Sequence, residues 1–243
     1  MMNDFLGKTV MVTGGAVRFG SLLCDSFANA GANLIIHYCK SQANAYNLVK
    51  TLPHVHKKQS FCMVHADFSS DMDTDAFFCC LPPVDILVNN AAMWIRDDNN
   101  ANPPSLRCQR NVNLKTPIKL IQSHAMHAPP DACAINILDA MALQNGNREA
   151  IHYLRTKKNL KKATQKLACE LAPHYRVNAV APGPMLPPAT CKKEEGMKII
   201  PKTLPLKHQV FVSDVINAII FLATCNSATG VVLPIDCGQS LNQ

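Results

Sequence analysis

Thr9-Val10-Met11-Val12-Thr13-Gly14-Gly15-Ala16-Val17-Arg18-Phe19-Gly20 is the stretch on which the fold turns. A run of β-branched and aliphatic residues, Thr9 to Thr13, ends at a glycine turn that leads into a helix-like segment. In that order, glycines let the backbone tighten and approach a pyrophosphate, whose charge then lies at the positive end of the helix. Similar runs predict further strands at Asn33 to Tyr38, Phe61 to His65, Ile86 to Asn89, Ala134 to Leu138, Val177 to Val180 and Val231 to Ile235. Most are nearly continuous in apolar character, as strands covered on both faces of a parallel sheet are. The gaps between them leave room for crossover helices. The pattern is therefore α/β: a single doubly wound parallel sheet of about seven strands flanked by helices, in one domain spanning residues 1–243.

Composition narrows the function classes. The chain has 243 residues, 48% of them hydrophobic and 17% charged, which excludes a disordered or fibrous protein. Eleven cysteines include no C-x-x-C pair, so neither a disulfide framework nor a zinc layout is expected. Cys62 and Cys133 fall in apolar runs, where cysteine acts as a small buried hydrophobe. No basic leader and no membrane-length apolar run is present, and a soluble, cytoplasmic protein is expected. The net charge of +7 raises the question of nucleic acid. Lys158, Lys162 and Lys166, however, lie on the polar side of a helix over Ala150 to Leu171 with no aromatic residues between them, the mark of a solvated face. His124 and His127 lack a nearby third ligand, so no metal is expected and both read as helix-surface residues.

The residues that carry chemistry follow the strands. The second strand ends His37-Tyr38-Cys39-Lys40-Ser41, with a cation and a hydroxyl and no acid. Such a set suits the 2′-phosphate of NADPH better than the free ribose of NADH, and Arg18 adds a second cation. Asn89-Asn90-Ala91-Ala92 follows the fourth strand, and Trp94 lies close behind it. Tyr153 and Lys157 are four apart and face the same way on the helix. A neighbouring ammonium stabilises a phenolate, so Lys157 is expected to bring the Tyr153 pKa down toward the working range.

Taken in this order, the glycine turn, Asn90-Ala91-Ala92, Asn113, Asp139 and Tyr153 with Lys157 resemble the short-chain dehydrogenases and reductases over essentially the whole chain. The resemblance implies a Rossmann-type sheet and a nicotinamide cofactor. It places Gly14, Arg18, Phe19, Gly20, His37, Tyr38, Lys40, Ser41, Asp67, Phe68, Asn90, Ala91, Ala92, Tyr153, Lys157, Pro182 and Gly183 around that cofactor, with Asp67 at adenine. It makes Tyr153, Lys157, Asp139 and Asn113 the catalytic set, with Asn111 as the alternative to Asn113. It also implies a homotetramer.

Asp139 stands where most members carry serine, and a carboxylate there suits an imine nitrogen better than a ketone. Together with Arg18, His37 to Ser41 and Trp94, it makes the chain resemble the pteridine reductase branch, including dihydromonapterin reductases. In that branch an aromatic at Trp94 stacks on the pterin and an aspartate at Asp139 partners the tyrosine. Arg18, Trp94, Asp139, Tyr153 and Met185 are then the substrate residues, with a substrate loop over residues 184–206. Three features depart from the branch: Ala92 replaces a serine, Asp139 and Tyr153 are one residue farther apart, and Cys237 replaces a glycine. The rival readings are a carbonyl reductase of a 3-oxoacyl thioester or other ketone, a catalytically silent NADPH-binding sensor, and Trp94 as core packing. Cys39, beside the 2′-phosphate site, is the thiol expected to be sensitive to oxidation.

Overall fold

The structure is a computed structural model and describes residues 5–95, 97, 101–144, 150–187 and 204–241. Seven strands, β1 (Thr9–Val12), β2 (Asn33–Tyr38), β3 (Phe61–His65), β4 (Ile86–Asn89), β5 (Cys133–Ile137), β6 (Arg176–Pro182) and β7 (Val232–Ile235), form one sheet. Its order is β3-β2-β1-β4-β5-β6-β7, and every pairing is parallel. The sequence order reverses between β1 and β4, so their carboxyl ends open a crevice at the switch point. The glycine turn after β1 and Asn90 after β4 face each other across it.

Strand alternation divides the core into two layers. Val10, Val12, Ile36 and Val88 pack with Leu23 and Phe27 of α1 (Arg18–Asn29) and Ile219 of α7 (Val212–Thr224). Met11, Leu87, Ala134 and Val177 point the other way, onto Leu120 and Ile121 of α5 (Thr116–His127) and Leu167 of α6 (Ile151–Leu171). The remaining helices are α2 (Gln42–Thr51), α3 (Thr74–Cys79) and α4 (Pro103–Arg110). A π-helical turn, Asn111–Lys115, joins α4 to α5, and a 3-10 turn, Ala140–Leu143, follows β5.

Two expectations fail here. Cys62 is exposed, because β3 is an edge strand that is not enclosed on both faces, whereas Cys133 on β5 is buried as expected. His124 is not on the surface: it is 1% exposed, receives the Tyr175 hydroxyl at Nδ1 (2.5 Å) and donates from Nε2 to the Val84 carbonyl (2.8 Å). Burial lowers its pKa to about 4, so it is a neutral staple between α5 and the sheet. His127 is exposed.

Candidate active site

Two adjoining cavities occupy the switch point. The larger, 530 Å3, is lined by the glycine turn, by His37 to Ser41, by Asp67 to Ser69 and by Asn90 to Met93. It gathers Gly14, Arg18, Phe19, Gly20, Tyr38, Lys40, Asp67, Phe68, Ala91 and Ala92 from four separate segments. Gly14 has φ +60°, and a Cβ on Gly20 would lie 2.2 Å from the Gly14 carbonyl, so the turn tolerates no side chain at Gly20. Arg18 adopts φ +54° within the same turn, a conformation usually left to glycine. The helix that follows has Val17 as its N-cap, with no side-chain cap and no acid in its first turn. Its leading N–H groups are therefore left for an anion.

Thr13 and Asn90 lock the two loops together. The Thr13 hydroxyl accepts from the Asn90 and Ala91 amides (2.9 and 3.0 Å), and Asn90 Nδ2 donates to the Thr13 and Gly14 carbonyls (2.9 and 3.2 Å). His37 braces the turn from the other side. It is 2% exposed and stacked on Phe68; its Nδ1 accepts the Gly14 N–H (3.0 Å) and its Nε2 donates to the Ala66 carbonyl (3.0 Å). Burial lowers its pKa to about 4, so His37 enters the site as a neutral brace, not as a cation for phosphate. Asp67 accepts the Ser69 N–H (2.9 Å), which holds its carboxyl below the usual range. The Cys39 thiol is raised by burial and by Asp67, so it is a poor source of thiolate, contrary to the sensitivity expected of it.

The smaller cavity, 310 Å3, shares Arg18, Phe19, Asn90 and Ala92 with the first and adds Asp139, Tyr153, Lys157, Pro182, Gly183 and Met185. Asp139 caps the 3-10 turn through Oδ1, which accepts the Met141 N–H (2.9 Å), and receives the Tyr153 hydroxyl at Oδ2 (3.3 Å). The longer sequence spacing between the two residues thus leaves them in contact. Burial raises the Asp139 carboxyl, opposed by Met141 N–H and Lys157. Lys157 is fully buried, donates to the Ile137 carbonyl (2.7 Å) and lies 5.8 Å from the centre of the Tyr153 ring. Burial lowers its pKa to about 8.

Tyr153 departs from the expectation. Its pKa is raised well above the usual phenol value, first by burial and then by Asp139, whose carboxylate disfavours a second negative charge. The phenol is held as a neutral donor to Asp139. Asn113 lies in the π-helical turn, where its amide pairs with both backbone groups of Met93, accepting N–H and donating to the carbonyl (2.7 Å each), and donates to Thr156 Oγ1 (3.3 Å). Asn111 points elsewhere, to the Ser69 carbonyl (2.7 Å). Trp94 is 50% exposed and lines neither cavity. Arg18 Nη2 donates to the Pro187 carbonyl (2.7 Å), spanning from the turn to the start of the expected substrate loop. Residues 188–203 of that loop lie outside the described residues.

A family model described as enoyl-(acyl carrier protein) reductase matches residues 19–240. The chain is a short-chain dehydrogenase/reductase. L-xylulose reductase of Mesocricetus auratus is 30% identical over 96% of both chains. Dihydromonapterin reductase of Escherichia coli is 27% identical over 97% of this chain and all of its own. Among solved structures, FolM alternative dihydrofolate reductase 1 of Brucella canis complexed with NADP superposes with TM-score 0.89 at 28% identity, covering all of this chain and 98% of its own.

Several residues that shape this reductase's site were not singled out from sequence. Thr13 ends the first strand directly before Gly14, and Thr156 sits between Tyr153 and Lys157, accepting from Asn113 and donating to the Tyr153 carbonyl (2.6 Å). Adjacency to a recognised motif was the available signal for both. Asp97, which receives the Ile151 N–H at the start of α6, carries no such signal. Cys237 has φ +52°, which accounts for glycine being the family's residue there.

Proposed function

We propose that this reductase uses NADPH to reduce a C=N bond of a pterin or dihydropterin. The Tyr153 hydroxyl on Asp139 Oδ2 carries the proposal: a carboxylate that holds the proton donor suits a ring nitrogen that must gain a proton. The larger cavity fits the cofactor by its own chemistry: a turn closed to side chains at Gly20, an uncapped helix start, and Lys40 with Ser41 where a 2′-phosphate needs a cation and a hydroxyl. When bound, the dihydronicotinamide supplies a hydride. Tyr153 gives its hydroxyl proton to the substrate nitrogen, leaving a phenolate. The Lys157 ammonium offsets that charge, and Asp139, in contact with the hydroxyl, relays a proton taken up from solvent back to the phenolate. Asn113 fixes Met93, and thereby the segment that carries Trp94, whose half-open indole offers a flat face to a heterocycle. Lys40 and Ser41 set the preference for NADPH over NADH.

The likeness to L-xylulose reductases supports a second reading, reduction of a sugar ketone with Asp139 in the serine's place. Oxidation of NADPH, followed with a dihydropterin, with L-xylulose and with a 3-oxoacyl thioester, separates the two. Turnover of the dihydropterin that is lost in Tyr153→Phe supports the first reading. Turnover of a ketone alone overturns it, and NADPH binding without turnover of any substrate indicates the silent sensor.

A further inference from the structure

α4 buries one residue, and that residue is polar: Gln109, 1% exposed, in the last turn of the helix. A packed helix ordinarily buries an apolar stripe, because an amide taken out of water costs free energy unless its hydrogen bonds are replaced. Gln109 has such a replacement. Its Oε1 accepts the Ile95 N–H at 2.7 Å. Four residues on, in the π-helical turn, the Asn113 amide accepts the Met93 N–H and donates to the Met93 carbonyl, at 2.7 Å each. Two side chains thus hold the backbone on both sides of Trp94. The segment they hold has the alternation of an extended strand: Ala92 and Trp94 are exposed, while Ala91, Met93 and Ile95 are half-buried. Only the odd positions are anchored, and Asp97 continues the series by accepting the Ile151 N–H at the start of α6. Met93 lines the cofactor cavity, so the anchored segment borders it.

We infer that Gln109 is a positioning residue for substrate selection: by fixing the Ile95 amide it holds the Trp94 indole in one orientation, and so sets the affinity for a flat heterocycle. Gln109 lines neither active-site cavity, so it acts through the backbone and not on the reacting atoms. This selectivity rests on the stacking role proposed for Trp94. Leucine at position 109 suits the burial better than glutamine, but it leaves the Ile95 N–H without its acceptor. What the glutamine adds is therefore the anchor.

Trp94 is the only tryptophan of the chain, so intrinsic fluorescence reports on it alone. Time-resolved anisotropy of the full chain should show a larger fast-depolarising component in Gln109→Leu than in the native protein. Gln109→Glu, which keeps an acceptor for Ile95, should restore the native decay. In turnover with NADPH, the dihydropterin KM should rise about threefold to tenfold in Gln109→Leu, the worth of an aromatic contact, with kcat and the NADPH Kd unchanged. Trp94→Ala should raise that KM at least as far, and Gln109→Glu should return it toward the native value. Anisotropy unchanged in Gln109→Leu overturns the anchor. So does an Ile95 amide that exchanges with solvent at the rate of an unstructured peptide in the native protein, a measurement that stands even if Gln109→Leu does not fold. A KM that rises in Trp94→Ala but not in Gln109→Leu overturns the role in selection. A dihydropterin that is not turned over, or a KM unmoved in Trp94→Ala, overturns the stacking reading and the selectivity with it, while the fluorescence still decides the anchor.

Discussion

The glycine turn and the proton-transfer centre sit side by side at the switch point, and they are built in opposite ways. Around the turn, polar groups close on neutral partners: Gly14 N–H on His37, Asn90 and Ala91 N–H on Thr13, and Asn90 Nδ2 on two carbonyls. Around Tyr153, buried Lys157 lies with half-buried Asp139 and Tyr153, and the loss of solvent drives each toward its neutral form. The first arrangement fixes a shape for a ligand to occupy. The second stores desolvated protons that a reaction can use. Substitutions in the turn should therefore act on binding, and substitutions in the centre on rate.

The largest expected effect is in the centre. Tyr153→Phe removes the proton donor, and turnover should fall on the order of a hundredfold to ten-thousandfold, the usual worth of a general acid. NADPH affinity, measured by fluorescence, should stay close to that of the native protein. Lys157 sets the next effect. Because burial lowers its pKa to about 8, the ammonium is lost as pH rises through that value, and kcat/KM should fall about tenfold per pH unit beyond it. A pH profile that stays flat well above 8 would separate the ammonium from catalysis.

Smaller effects are expected in the turn. Lys40→Ala removes a cation proposed to meet the 2′-phosphate and should lower the NADPH to NADH preference by about tenfold, read from the ratio of kcat/KM values. His37→Phe keeps the stack on Phe68 but strips Gly14 of its acceptor, at about 1–3 kcal/mol for an unsatisfied buried donor. Part of that loss should appear as a several-fold weaker NADPH Kd with kcat unchanged. His37 also gives stability an acid limb. Its folded pKa of about 4 lies below the ordinary histidine value, so the stability it contributes is full above about 6.5 and falls as pH drops from there toward 4.

Most of the architecture was legible in the sequence because continuous apolar runs and glycine punctuation act locally. All seven strands lie where those runs predict them, with ends displaced by a residue or two at β1, β5, β6 and β7. What escaped depends on position in the sheet or on distant partners. Cys62 reads as core because its neighbours are apolar, yet β3 is an edge strand. His124 reads as surface because its packing against Tyr175 and Val84 is long-range. At the site, Asp139, Tyr153 and Lys157, grouped from the sequence, line one cavity. The sequence did not reveal that burial, and after it Asp139, raises the Tyr153 pKa, since desolvation exists only in the folded state.

The role of Asp139 is the point on which the functional reading rests, and Asp139→Ser tests it most directly. Serine can still cap Ala140–Leu143 by accepting the Met141 N–H, so the fold should be retained, as checked by thermal unfolding. The measurement is the ratio of kcat/KM for a dihydropterin to that for L-xylulose, with NADPH, in native and variant protein. The ratio should favour the dihydropterin in the native protein and fall on the order of a hundredfold in Asp139→Ser, within the range expected of an acid–base partner. A native protein that already prefers the ketose, or a ratio unchanged by the substitution, would contradict it.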